Sequence, residues 1–245
     1  MKKNKILVFG ANGLVGKSVV ETLSNSSKVE SVDSSTRKDT DLKNIDEIKN
    51  ILNIKQPDYI INCAAKVGGI YANNTFRAEF LLENLKINLN LFDALKEYPN
   101  VNVVNLGSSC IYPLNAPNPI SESSFLEGKL EPTNSPYAIA KITGIELGRE
   151  INNQYGNKIL NLMPTNLYGP NDNFTDMNSH VIPGLIFRMH QAKIDNDPIF
   201  KIWGTGTPLR EFMFVDDLAN CIEFLIDKDL DSDLIQQCLI STLLA

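Results

Sequence analysis

Residues 5–9 (KILVF) form a short apolar run that passes directly into GANGLVG, Gly10 to Gly16. A helical pattern follows, in which Val15, Val19, Val20 and Leu23 recur. Strand, glycine turn and helix in that order leave few folds open. Gly10 lets the chain turn tightly, Gly13 lets the backbone approach a pyrophosphate, and Gly16 permits close helix–strand contact. The whole turn, with Ala11, Asn12, Leu14 and Val15, is therefore the expected contact segment for a dinucleotide. Its spacing is GxxGxxG rather than GxGxxG, so the flanking strand and helix carry much of the inference.

The alternation continues along the chain. Strands are expected at 5–9, 29–33, 58–63, 101–106 and 158–163, and helices at 14–24, 43–54, 76–97, 136–154, 181–193 and 216–228. Strands alternating with helical patterns predict an α/β protein with a doubly wound parallel sheet. Residues 1–165 read as the dinucleotide-binding domain and 166–245 as a partial substrate-binding region, with 200–228 returning to the first domain. The loops 107–134 and 164–180 are long and rich in Pro, Asn and Ser. Both follow strands, and ligands in open α/β sheets sit beyond the carboxyl ends of strands, so both loops should border the site.

The end of the second strand bears on cofactor choice. Asp33 there suits a ribose hydroxyl, as in NAD; Arg37 and Lys38 suit the 2′-phosphate of NADP. The two adjacent cations favour NADP. Further on, the apolar run 101–106 leads into LGSSCIYP, with Ser108, Ser109 and Cys110, and SPYAIAK places Tyr137 and Lys141 four residues apart. That spacing puts both side chains on one helical face. An ammonium beside the phenol should lower a pKa that is ordinarily about 10. Such a tyrosine can exchange a proton with a sugar oxygen while a nicotinamide moves hydride, and a serine can fix the same oxygen.

Composition closes off other classes. A formal net charge of -6 argues against a nucleic-acid partner, and no apolar run approaches the ~20 residues of a membrane span. The start, MKKNK and then a strand, lacks a signal-peptide pattern. Cysteines at 63, 110, 221 and 238 include no CxxC pair, so neither a metal site nor a disulfide framework is expected. Reduced thiols in the cytoplasm are the expectation.

The segments GANGLVG, NCAAKVGGIYANN, LGSSCIYP, EPTNSPYAIAK, MPTNLYGPNDNF, SHVIPGLI and KIWGTGTPLREFMFVDDLA together resemble the GDP-L-fucose synthase family of the extended short-chain dehydrogenase/reductases. The resemblance runs from Lys5 to about Leu225. It implies NADPH-dependent 3,5-epimerisation and 4-reduction of GDP-4-keto-6-deoxy-D-mannose. It implies a reductase triad of Ser108, Tyr137 and Lys141, with Cys110 as base and His180 as acid for epimerisation. Thiol and imidazole are the side-chain types that ordinarily titrate nearest neutral pH. Ala64, Ala65 and Lys66 should pass near the cofactor, as should Leu106 and Gly107, and Pro164, Thr165, Asn166 and Leu167 with His180 should line the nicotinamide. Arg188, Trp203 and Arg210 match residues that hold the GDP-sugar; a guanidinium suits a diphosphate through its bidentate fork.

The resemblance also implies a homodimer built from helices 76–97 and 136–154. The first carries Phe76, Phe80, Leu81, Leu85, Leu89, Phe92 and Leu95, more apolar surface than one sheet face needs. After Leu225 the resemblance fades, and the ending does not look like the family's C-terminal segment. LIQQCLISTLLA, residues 234–245, reads as a short helix. A truncated substrate region, with weakened GDP-sugar binding and slow turnover, is the expectation. Two alternatives remain at this stage: a colitose synthase-like enzyme on a related deoxy-sugar nucleotide, and a non-catalytic dinucleotide-binding fragment.

Overall fold

The computed structural model describes residues 3–175, 179–200, 202, 204–207, 209–228 and 234–236. In chain order its elements are β1 (Asn4–Phe9), α1 (Leu14–Ser24), β2 (Val29–Ser35), α2 (Ile45–Lys55), β3 (Tyr59–Asn62), α3 (Ile70–Thr75), α4 (Arg77–Leu95), β4 (Asn102–Leu106), α5 (Ser135–Tyr155), β5 (Ile159–Met163), β6 (Asn166–Tyr168), α6 (Val181–Ile194), β7 (Phe212–Phe214), α7 (Val215–Leu225) and β8 (Leu234–Gln236). Six strands form one parallel sheet in the order β2-β1-β3-β4-β5-β8, and β6 pairs with β7 in a small parallel ribbon. The expected doubly wound α/β fold is the one observed.

Successive residues of β1 point to opposite faces of the sheet. Ile6 and Val8 meet Val19 and Leu23 of α1 and Leu218 and Ile222 of α7. Leu7 and Phe9 meet Ile48 and Leu52 of α2 and Leu91, Phe92 and Leu95 of α4. Each fully buried side chain of this kind contributes about 1.5–3 kcal/mol. The strand therefore reads as continuous apolar sequence because helices cover both of its faces. Polar staples join α7 to the first βα unit: Ser18 Oγ donates to Asp216 at 2.6 Å, and Lys28 Nζ donates to the Glu223 carbonyl at 2.7 Å.

In the central strands Asn62, Asn105 and Asn161 stand in register. Asn62 Nδ2 donates to Asn105 Oδ1 at 3.0 Å, and Asn105 Nδ2 donates to Asn161 Oδ1 at 2.9 Å. All three amides are buried.

The helix expected at 76–97 is α4, and a short helix that was not expected, α3, precedes it across Phe76 at φ −104 and ψ 46. Two expectations need correction. The helix at 43–54 starts later, because the Asn44 side chain accepts the Asp46 N–H at 3.0 Å and caps α2. Residues 234–236 are not helical; they extend the sheet by pairing with β5, whose edge backbone groups need partners. Residues 237–245 lie outside the described residues. Among the described residues, no helix is long and apolar enough to cross a membrane, and no cluster of metal-ligand side chains occurs.

Candidate active site

Strand order reverses between β1 and β3, and a cavity of about 600 Å³ opens at their carboxyl ends. This is where an open α/β sheet has room for a ligand. Gly10, at φ 72, forms its floor. A Cβ there would lie 2.8 Å from the Ala64 amide nitrogen, so the turn and the β3 loop can approach only without a side chain. A Cβ on Gly16 would collide with the Gly10 carbonyl. Gly13 meets nothing of the chain so closely; it precedes α1 with no side-chain cap and faces the cavity. Asn12, Leu14 and Val15 line the cavity with it, while Ala11 and Gly16 stand behind the wall.

At the end of β2 the wall is made by Ser35, Thr36, Arg37, Thr40, Asp41, Leu42 and Lys43. Asp33 is engaged elsewhere, in an ion pair with Lys55 at 2.5 Å. Lys38 does not line the cavity, contrary to expectation. Thr40 N–H donates to the Thr36 carbonyl at 3.0 Å, so 36–40 is a tight turn that sends successive side chains in different directions. The second cation at this end is Lys43, which sequence spacing did not single out. Its nearest carboxylate, Asp41, is 3.9 Å away.

Beyond β3, Ala64, Ala65 and Lys66 line the cavity. Asn84 of α4 accepts the Lys66 N–H at 2.9 Å and donates to its carbonyl at 3.0 Å, which pins this loop. The Lys66 ammonium already has a counterion, Glu83, at 2.6 Å, and that hydrogen bond holds the Glu83 carboxyl below its ordinary range.

Leu106, Gly107 and Ser108 carry the wall across from β4. Lys141 is 7% exposed and donates from Nζ to the Leu106 carbonyl at 2.6 Å. Nζ also lies 5.6 Å from the Tyr137 ring centroid. Phe80 meets the same ring edge-on at 6.3 Å. Burial lowers the Lys141 pKa from 10.5 to about 8. Burial pushes the Tyr137 phenol up, and neighbouring Cys110 adds to the rise. This reverses the expected depression of the phenol: the ammonium is bonded to a carbonyl and lies against the ring, and desolvation outweighs it.

Cys110 is half-buried behind Ser108 and Ser109 rather than on the cavity wall. Its backbone N–H donates to Ser108 Oγ at 3.4 Å. Burial raises its thiol pKa, against the opposing pull of the Ser108 hydroxyl and Lys141. Cys63 does reach the wall, and burial pushes its thiol up to about 12.

The far side belongs to the segment after β5. Ser109 N–H donates to the Pro164 carbonyl at 3.3 Å, and Pro164, Thr165, Asn166, Leu167, Asp172 and His180 complete the lining. Asn166 Nδ2 donates to the Glu211 carbonyl at 2.9 Å, tying this segment to β7. His180 precedes α6 and accepts the Gly184 N–H on its carbonyl at 3.0 Å. Asp172 is a lining residue that sequence reading passed over inside GPNDNF; an acidic residue in a polar loop carries no distinguishing signal.

The described structure does not bring the two expected substrate arginines to this cavity. Arg188 lies two turns into α6, and its Nε donates back to the Gly184 carbonyl at 3.4 Å. Arg210 is exposed just before β7, donating to the adjacent Leu209 carbonyl at 2.7 Å. Trp203 lies outside the described residues.

The model of the NAD dependent epimerase/dehydratase family matches residues 6–235. The chain is 46% identical over 227 residues to GDP-L-fucose synthase 1 of Arabidopsis thaliana, covering 93% of this chain and 70% of that protein. It is 45% identical over 219 residues to GDP-L-fucose synthase of Escherichia coli (strain K12), covering 89% of this chain and 68% of that protein. A crystal structure of a GDP-L-fucose synthetase from Naegleria fowleri bound to NADP superposes with a TM-score of 0.84 at 30% identity, covering 96% of this chain and 77% of that one.

Proposed function

The chain belongs to the NAD dependent epimerase/dehydratase family, in its GDP-L-fucose synthase branch, and on that premise we propose an NADPH-dependent 3,5-epimerase and 4-reductase of GDP-4-keto-6-deoxy-D-mannose. The observation that carries the reading is one continuous wall. It joins the glycine turn, two cations at the end of β2, Ser108, Tyr137 and Lys141, and His180. The cavity fits the cofactor: backbone N–H groups at the α1 N-terminus suit the pyrophosphate, and Arg37 with Lys43 suits a 2′-phosphate. NADPH, when bound, supplies hydride to C4.

The chain's own groups handle protons. C3 and C5 flank the C4 carbonyl, so their protons are acidic enough to be removed by a positioned base. Inversion needs removal from one face of the ring and return to the other, hence two groups. In this reading Cys110 removes the proton and His180 returns it. Ser108 holds the C4 oxygen by a hydrogen bond. Tyr137 gives that oxygen its proton on reduction, and the upward push of burial keeps the phenol protonated, the form a donor must have. Lys141, beside the ring, supplies positive charge as the phenol gives up its proton.

Residues 1–165, with 200–228, form the cofactor domain in this proposal, and the rest of 166–245 serves the sugar nucleotide. Support comes from α7, which packs with α1 on the sheet. We also propose a homodimer through α4 and α5, supported by apolar Leu82, Leu89 and Ile139, all about half exposed. A cytoplasmic setting accords with the free thiols of Cys63, Cys110 and Cys221.

The test is solvent deuterium uptake at C3 and C5, followed alongside NADPH oxidation. Cys110→Ala should stop uptake while cofactor still binds. Tyr137→Phe should spare uptake and stop oxidation. Normal uptake in Cys110→Ala would remove the thiol from the mechanism.

A further inference from the structure

Asp172 lines the cavity in the loop between β6 and α6. Its Oδ1 accepts the Asn173 N–H at 2.7 Å. Its Oδ2 is buried and, among the described residues, meets no hydrogen-bond donor. An orphaned carboxylate oxygen is costly, and a native structure keeps one for a reason. Burial raises the Asp172 pKa, opposed by the Asn173 bond and by the charge of His180.

The loop is built to bring that histidine to it. Ser179 Oγ accepts the Thr175 N–H at 2.7 Å, and its hydroxyl proton reaches the carbonyls of Asn173 and Thr175. The residue after Asp172 is thus bonded to the residue before His180. On the other flank, Lys17 Nζ donates to Asn171 Oδ1 at 2.9 Å and anchors the loop to α1. Both functional side chains then face one cavity. No hydrogen bond joins the two side chains as they stand, and His180 is exposed, with its charge acting on the Asp172 carboxyl.

We propose that Asp172 is the positioning residue for His180. Its unpartnered oxygen accepts an N–H from one imidazole nitrogen, which fixes the tautomer and aims the other nitrogen into the cavity. The inference rests on the reading of His180 as the epimerisation acid. A carboxylate holding an imidazole in this way is a general device for making one ring nitrogen the reactive one.

The experiment uses the full chain carrying His190→Gln, which leaves His180 as the sole histidine. In the parent, the imidazole 15N shifts should report one dominant tautomer. Asp172→Ala and Asp172→Asn should both give averaged tautomers. They should slow deuterium uptake by about a hundredfold through kcat, with KM and NADPH binding held. Asp172→Glu should restore part of the rate. Unchanged 15N shifts in both variants would overturn the proposal. So would loss of NADPH binding in parallel with rate, which marks a structural role. His180→Gln with normal uptake would instead overturn the acid assignment, while the 15N comparison still decides whether the pair exists.

Discussion

Lys141 must carry its charge where there is almost no water. A lysine whose folded-state pKa falls from 10.5 to about 8 binds fewer protons folded than unfolded between those values. Its contribution to stability is therefore present above pH 10.5 and is lost as pH falls through 8. The full cost is about 3 kcal/mol. Lys141→Met should resist urea better than the parent at pH 7, and the gap should close towards pH 10.5. Urea melts of both chains across that range check this. The cations at the β2 end make a second prediction. Lys38→Ala should leave NADPH affinity unchanged. Arg37→Ala and Lys43→Ala should each weaken it by roughly tenfold or more, the worth of a charge-assisted hydrogen bond, and leave NADH alone. Fluorescence titration with both nucleotides reads the result. Sequence made Tyr137 and Lys141 legible because a four-residue spacing is a local property of a helix. The direction of the phenol shift was not legible, since desolvation depends on Phe80 and the β4 carbonyls arriving from elsewhere. Lys43 was missed for the same reason: neighbours along the chain are not neighbours around a cavity.

At the scale of elements, α4 and α5 pack closely because Gly144 faces Asn88. A Cβ on that glycine would lie 2.7 Å from Asn88 Nδ2, which already donates to the Ala140 carbonyl at 2.9 Å. This contact uses one side of each helix. Phe80, Phe92 and Leu95 of α4 are spent on the interior, whereas Leu82, at 54% exposed, and Leu89, at 47%, are not. If those residues meet a second copy, Leu82→Glu with Leu89→Glu should yield a monomer by sedimentation at micromolar concentration where the parent sediments as a dimer. A parent that sediments only as a monomer would sink the pairing. The apolar periodicity of 76–97 gave away α4 but not α3 before it, whose six residues are too few for a helical period to register. The strands β6, β7 and β8 each have three residues, too few for an alternation to register, and they exist through pairing rather than propensity.

For the molecule as a whole, the α/β architecture was the most legible feature: every strand of the main sheet except β8 was announced by the alternation of strand and helical patterns, even β2, whose sequence VESVDSS is mostly polar. The arrangement around the substrate end was the least legible. Arg188 and Arg210 were chosen by resemblance in sequence, yet they stand apart from the cavity, and only three-dimensional placement reveals it. What a string of residues also hides is that parallel strands have no turn to set their alignment; each is delivered by a helix long enough to slip. Here the row of Asn62, Asn105 and Asn161 acts as a vernier. Sliding any one of the three strands by a single residue would turn its amide to the opposite face and break its bond to the neighbouring amide. The same three side chains that disfavour misregistered sheets therefore also fix how far each strand reaches towards the ligand.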